Sequence, residues 1–180
     1  MTVDEFLEYP FPNGKVELVR GEPRVSEPAG GRHGWVLSNL ARLFYRYLDT
    51  HPVGRFFNDG VGYELRALPR TVRSPDASFI RAEHLPPEGV GPGFLKMAPD
   101  LAVEVLSPSE PAGELEEKLD DYRAAGTPLI WVIDPERRTV MIVSADAPVR
   151  WLRADDALDA GDIVPGFSCK VTELFEGLAV

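Results

Sequence analysis

The chain has 180 residues, a length typical of one domain, and its 44% hydrophobic and 27% charged residues are average for soluble globular proteins. This composition excludes disorder, collagen and coiled coil. The net charge of −10 argues against a protein that coats nucleic acid with a cationic surface, but an acidic site for a divalent metal remains open.

Neither a membrane-spanning segment, nor a signal peptide, nor a disulfide is expected from the sequence. The longest apolar run, residues 129–133, is far shorter than the roughly 20 residues needed to cross a bilayer. The N-terminus is acidic and lacks the basic region of a signal peptide. The single cysteine, Cys169, fits a reducing compartment and is expected to be a buried hydrophobe. We expect one soluble, cytoplasmic domain over residues 1–180, with no membrane contact.

The first third of the chain begins with a capping box, Thr2 to Glu5, that predicts a short helix. Residues 16–19 and 23–25 read as two strands of a hairpin around Gly21 and Glu22. Apolar side chains at steps of three and four then predict the longest helix over residues 33–50.

The rest of the chain alternates between strand and helix signals. The predicted elements are strands 55–57 and 61–65 around the turn 58–60, strand 76–80, loop 82–98, strand 101–106, helix 112–125, strands 129–133 and 139–144, and helix 171–176. Strand 129–133 is apolar on both faces, as a central strand must be. This order predicts an α/β domain in which helices flank a mixed β-sheet.

Two strand carboxylates are the strongest candidates for chemistry. Asp76 follows Pro75 at the start of a strand, and Glu104 lies inside a strand that is otherwise apolar. A carboxylate there costs free energy unless it is paired, hydrogen-bonded or bound to a cation. An arginine partner or a wet edge would also explain Glu104, but a functional role is favoured. Asp100 shares the face of Glu104, although a strand-start aspartate is more often a turn or cap residue.

These residues resemble a known pattern. Pro75-Asp76 followed by Glu104-Val105-Leu106 resembles the PD-(D/E)XK nuclease superfamily. More closely, the chain is similar to the Uma-type family, a bacterial group of restriction-endonuclease-like proteins of unknown function, over residues 3–175. The resemblance is carried by residues 16–22, His33, residues 74–76, residues 99–109, Lys118, Tyr122 and Gly126. It implies a restriction-endonuclease-like core with an N-terminal hairpin extension.

One departure concerns the lysine. The superfamily places it two residues after the glutamate, but that position is Leu106 here. The resemblance implies that Lys118, on the following helix, takes its place. The alternative for Lys118 is a surface ion pair with Glu114 or Asp121, at helical spacing.

The resemblance also implies the roles of the site residues. Asp76 and Glu104 would hold Mg²⁺ or Mn²⁺, and Lys118 would orient or deprotonate the attacking water. Glu17 would be a further ligand, an acid of the N-terminal hairpin that supports the ligands from behind, or an outward-facing strand residue. His33 would contact a phosphate or the metal shell or make only a local hydrogen bond. Tyr122 would position Lys118 or fill the core.

The leading function is therefore metal-dependent hydrolysis of DNA phosphodiester bonds, with a homodimer to cut both strands. The arginines of residues 66–73, with Arg20, Arg24 and Arg32, would touch phosphates or form a solvated surface. Two alternatives stay open: a catalytically silent binding module on a nuclease fold, and a nuclease that acts on RNA or structured nucleic acid.

Overall fold

The computed structural model describes residues 1–8, 10, 15–58, 60–66, 69–108 and 111–178, apart from the side chains of Asp4 and Ala112. Its helices are α1 Val3–Glu8, α2 Gly31–Leu48, α3 Ala112–Ala125 and α4 Val171–Leu174. Its strands are β1 Lys15–Val19, β2 Glu22–Ser26, β3 Gly54–Asn58, β4 Tyr63–Arg66, β5 Thr71–Arg73, β6 Ala77–Arg81, β7 Leu101–Val105, β8 Leu129–Asp134, β9 Thr139–Ser144, β10 Arg150–Arg153, β11 Ala157–Asp159 and β12 Ser168–Lys170. No helix in the described part is long and apolar enough to span a membrane.

Local signals confirm the N-terminal elements. The Thr2 amide donates to Glu5 Oε2 at 2.7 Å, and the Glu5 amide donates to Thr2 Oγ1 at 3.1 Å, so the capping box starts α1. The antiparallel pair β1–β2 is the predicted hairpin. Arg20 and Gly21 have φ angles of 52° and 85°, the left-handed conformations that a tight hairpin turn requires.

The six-stranded mixed sheet forms the centre of the fold, in the order β10, β9, β8, β7, β6, β3. In this sheet the neighbouring strands β7 and β8 run parallel, which requires a crossover, and α3 supplies it. Every residue of β8 is buried, so the predicted central strand is confirmed.

Helices cover both faces of this sheet. On one face, Phe44 of α2 stacks on Phe56 and Phe167, with ring centroids 4.4 and 4.2 Å apart, above Trp131. On the other face, α3 packs Tyr122 and other apolar side chains against β7 and β8. The predicted α/β fold with a mixed sheet and flanking helices is therefore confirmed.

A second sheet holds the order β2, β1, β5, β4. The strands predicted around residues 58–60 do form as β3 and β4, but they lie in different sheets and do not pair with each other, because β3 pairs with β6 and β4 pairs with β5. Asp59 in the predicted turn lies outside the described residues. The short strands β5, β10, β11 and β12 were not predicted, because segments of three or four residues carry too little alternation.

The boundaries of the other predicted elements shift by small amounts. Helix α2 begins and ends two residues earlier than predicted, since its apolar periodicity starts only at Val36. Helix α3 has the predicted bounds and ends at Gly126, whose φ of 90° is the left-handed C-terminal cap. Cys169 is free and buried in the core, as expected, and burial raises the pKa of its thiol to about 12.

Candidate active site

The two predicted carboxylates meet where β6 begins and β7 ends. Ala77 of β6 is paired with Val103 of β7, so Asp76 and Glu104 come next on the two antiparallel strands. Both point to the face that α3 covers, because side chains alternate along a strand and Ala102 packs under α3. The two carboxylates are nearly inaccessible, with 8% and 1% exposure.

Asp76 is held on both carboxylate oxygens. Its Oδ1 accepts a hydrogen bond from Lys15 Nζ at 2.8 Å, and its Oδ2 lies 2.8 Å from the Val105 amide and 3.0 Å from His33 Nε2. Burial by itself would raise the pKa of Asp76, but His33 and Lys15 outweigh it and hold the pKa well below its usual value. Asp76 is therefore a fixed carboxylate anion.

Glu104 is held by two side chains from α3. Lys118 Nζ lies 3.1 Å from Oε2, and the Tyr122 hydroxyl donates to Oε1 at 2.7 Å. Complete burial raises the pKa of Glu104, against the opposing effect of the Lys118 ammonium. Burial and the charge of Glu104 likewise raise the pKa of Tyr122.

The helical repeat explains why both side chains reach the same carboxylate. Lys118 and Tyr122 are four residues apart, so they lie on one face of α3. Lys118 is thus paired across the fold with Glu104, while Asp121 binds Arg73 at 2.7 Å. The alternative of a surface ion pair along the helix does not describe the buried Lys118 ammonium.

Glu17 lies buried in the N-terminal hairpin, next to the chain segment that precedes Asp76. It is 2% exposed, and its oxygens accept hydrogen bonds from Arg73 at 2.9 Å and from the Ser74 amide at 2.7 Å. It is therefore not an outward-facing strand residue. Its contacts hold the chain segment that leads into Asp76.

Arg73 is buried, so the arginines of residues 66–73 do not all belong to a surface that could touch phosphates. Its side chain is 1% exposed and binds Glu17 and Asp121, whose charges raise its pKa although burial opposes them. It is a structural ion-pair residue and is not available to phosphates. Residues 67 and 68 of that segment lie outside the described residues.

The structure brings His33 to the site but places Asp100 at the other end of β7. His33, in the first turn of α2, is brought to the site by its contact with Asp76. Asp100 accepts hydrogen bonds from the Arg81 amide at 2.9 Å and lies 2.8 Å from His84 Nδ1, on the other end of β7. Asp100 therefore lies at the end of β7 opposite to Glu104, and its role in a turn or cap stays a prediction.

Lys15 is a further residue at the site, and no sequence pattern predicted its position there. It begins β1, and its ammonium binds Asp76 with 24% side-chain exposure. Burial opposes its charge, but Asp76, Glu104 and Glu17 outweigh that effect and raise its pKa. The available signal was the scarcity of lysine, because only four occur in the chain and Lys15 shares a strand face with Glu17.

An open cavity of about 610 Å³ gives access to these groups. Its lining includes Lys15, His33, Asp76 and Lys118, together with Glu27 and Glu114. A volume of this size accommodates a small ligand or part of a polymer. The reactive groups therefore line a space that a substrate can enter.

The donor set suits a hard divalent cation that keeps much of its water shell. Among the described residues, no three His, Cys, Asp or Glu side chains form a ready-made metal cluster. Asp76 and Glu104 supply carboxylate oxygens, which Mg²⁺ and Mn²⁺ prefer, and Mg²⁺ is commonly held by one or two carboxylates plus water. The Lys15 ammonium bound to Asp76 shows that this carboxylate attracts a cation.

Comparisons with known proteins place this architecture in a nuclease-like class. The fold matches the crystal structure of a "putative nuclease belonging to DUF820" from Anabaena variabilis ATCC 29413, with a TM-score of 0.83 over 97% of both chains and 20% identity. Residues 3–172 match the family model Uma2, described as "putative restriction endonuclease". The chain belongs to this family, which confirms the resemblance. No curated protein matches the sequence.

Proposed function

We propose that the protein is a cytoplasmic, metal-dependent endonuclease that hydrolyses phosphodiester bonds of DNA. The observation that carries the proposal is that Asp76 and Lys118 line an open cavity, while the buried Glu104, next to Asp76 on the neighbouring strand, binds Lys118. Membership of the restriction endonuclease-like family supports the same reaction class.

In this proposal Asp76 and Glu104 hold Mg²⁺ or Mn²⁺. When bound, the cation lowers the pKa of a coordinated water and offsets negative charge on the phosphoryl group. His33 and the Val105 amide keep the Asp76 carboxylate oriented, because both lie within hydrogen-bond distance of Oδ2. Glu17 acts through the backbone before Asp76, as a positioning residue.

Lys118 orients the attacking water and stabilises charge on the transition state. Its position is fixed by Glu104 Oε2, while Tyr122 fixes the other oxygen of the same carboxylate. Hydrolysis joins the water oxygen to phosphorus and releases one ester oxygen of the backbone. Each site cuts one strand, so we propose a homodimer for cleavage of both strands of a duplex.

The test is nicking of supercoiled plasmid by the purified protein with Mg²⁺ or Mn²⁺, and with EDTA. Asp76→Asn and Glu104→Gln keep the side-chain shapes and should lower the rate on the order of 100-fold or more. Asp120→Asn is the matched control, because Asp120 is an exposed acid on α3 outside the site. Light scattering of the same samples tests the dimer.

Three outcomes discriminate among the alternatives. Nicking that survives in both site variants would indicate a contaminating nuclease or a different site. Cleavage of RNA or of a structured DNA, without cleavage of plasmid, would change the proposed substrate and leave the proposed active site unchanged. No cleavage together with no metal binding in calorimetry would favour a silent binding module.

A further inference from the structure

The Lys15 ammonium occupies one particular oxygen of Asp76. Oδ2 already lies within hydrogen-bond distance of two groups, the Val105 amide and His33 Nε2. Each carboxylate oxygen offers about two lone-pair directions. A cation that binds Asp76 therefore approaches Oδ1, where Lys15 Nζ at 2.8 Å takes one of the two directions and places its charge next to the other.

The charge of the cluster favours exchange of Lys15 for a divalent ion. Among the described residues, the buried acids of the cluster outnumber its lysine and arginine side chains, and the half-buried Glu117 adds a further acid 3.6 Å from Arg73; the buried acids are Glu17, Asp76, Glu104 and Asp121, and the basic side chains are Lys15, Arg73 and Lys118. A divalent ion in place of the Lys15 ammonium adds one positive charge to this acid-rich cluster. A divalent ion beside Lys15 would instead add repulsion between two cations on one carboxylate.

Lys15 is also the cation that can leave. Arg73 and Lys118 are almost fully enclosed, with side-chain exposures of 1% and 8%, whereas Lys15 is 24% exposed and lines the open cavity. The lysine side chain is flexible, so its ammonium can swing into the cavity while β1 stays in place.

We propose that Lys15 is a built-in counterion that holds Asp76 in the metal-free protein and that a divalent cation displaces from Oδ1. The proposal rests on the metal ligands of the proposed function and adds a control of that site. Lys15 keeps the carboxylates ordered before the metal arrives and sets a threshold metal concentration for loading.

Calorimetric titration of the full chain with Mn²⁺ tests the competition. Lys15→Gln removes the competing charge and should bind Mn²⁺ about tenfold more tightly than the unmodified protein, or better. Lys15→Arg keeps a cation at this position and should stay close to the unmodified protein. Lys96→Gln is the matched control, since it removes the charge of an exposed lysine outside the cavity and should change affinity less than twofold.

Thermal unfolding gives a second readout that does not depend on activity. Without metal, Lys15→Gln should melt at a lower temperature than the unmodified protein, because Asp76 loses its counterion. Saturating Mn²⁺ should remove most of this difference. A purely structural role for Lys15 would leave the difference in place.

The outcomes distinguish failure of the proposed Lys15 competition from failure of the proposed nuclease reaction. Equal or weaker Mn²⁺ binding by Lys15→Gln overturns the competition. Absence of Mn²⁺ binding in every protein overturns the metal ligands and the competition together. Tighter binding by Lys15→Gln supports the competition even if no nucleic acid is cut, in which case only the proposed reaction fails.

Discussion

At the scale of single residues, the surroundings give two adjacent carboxylates opposite properties. Asp76 has a lowered pKa because His33 and Lys15 outweigh its burial, while Glu104 has a raised pKa because its burial outweighs Lys118. Neighbouring groups whose pKa values are pushed apart are typical of active sites. The chemistry of each residue thus depends on contacts that its residue type does not specify.

The Tyr122 hydroxyl provides a test at this scale. Tyr122→Phe leaves Glu104 Oε1 without its 2.7 Å donor, so we expect a loss of about 1–3 kcal/mol in the free energy of unfolding. Because Glu104 also loses its orientation, nicking should fall on the order of tenfold. Urea denaturation and the plasmid assay measure the two effects.

Tyr63→Phe is the matched control for this variant. The Tyr63 hydroxyl is also buried and lies 2.7 Å from Ser78 Oγ, whereas the Tyr122 hydroxyl donates to a site carboxylate. It should lose a comparable free energy of unfolding and keep its nicking rate. Equal nicking by the two phenylalanine variants would show that Tyr122 only fills the core.

At the scale of elements, α3 joins the site to the rest of the fold through two sets of contacts. Lys118 and Tyr122 reach Glu104 on β7, while Asp121 binds Arg73 on β5. Arg73 in turn binds Glu17 on β1. One buried arginine therefore fixes the helix that carries Lys118 relative to the hairpin that carries Lys15.

Arg73→Met should be strongly destabilising. It leaves the Glu17 and Asp121 carboxylates buried without their common partner, which costs about 3–5 kcal/mol of the free energy of unfolding. Chemical denaturation measures the loss, and adding Glu17→Gln and Asp121→Asn to the variant should recover part of it.

Arg32→Met is the control, because it removes an exposed ion pair instead of a buried one. Arg32 binds Glu136 through both carboxylate oxygens, but each side chain is 54% exposed, so the expected loss is about 0–1 kcal/mol. Similar losses for Arg73→Met and Arg32→Met would mean that burial of the Arg73 cluster is not what stabilises the fold.

At the scale of the whole molecule, the site lies where the chain passes from one sheet to the other. β5 belongs to the four-stranded sheet and β6 to the six-stranded sheet, and Asp76 lies in the short connection between them. The same sheets bring Lys15 and Glu104 to this seam. The expectation of one domain over residues 1–180 stays a prediction.

Amide hydrogen exchange should reveal the order of stability in this architecture. β7 and β8 are fully buried and central, so their amides should exchange most slowly. β2 and β10 are edge strands with mostly exposed residues, and their amides should exchange much faster. Protection of β2 comparable to that of β8 would contradict this order.

Much of the fold follows from local patterns. The capping box of Thr2 and Glu5, the helix that ends at Gly126 and the apolar β8 were predicted because each depends on interactions between near neighbours in the chain. The separation of β3 and β4 into different sheets was missed. Strand pairing depends on distant partners, and the short connection between these strands suggested a hairpin.

By itself the sequence determined the family and the main helices and strands. It also singled out Glu104 as a candidate, because a carboxylate is unusual in a strand that is otherwise apolar. Only the tertiary structure decided the partners of the buried carboxylates. Lys15 binds Asp76 across 61 residues and Arg73 binds Glu17 across 56. Such pairings arise when sheets and helices pack, and no local pattern of residues encodes which distant charge a buried side chain will meet.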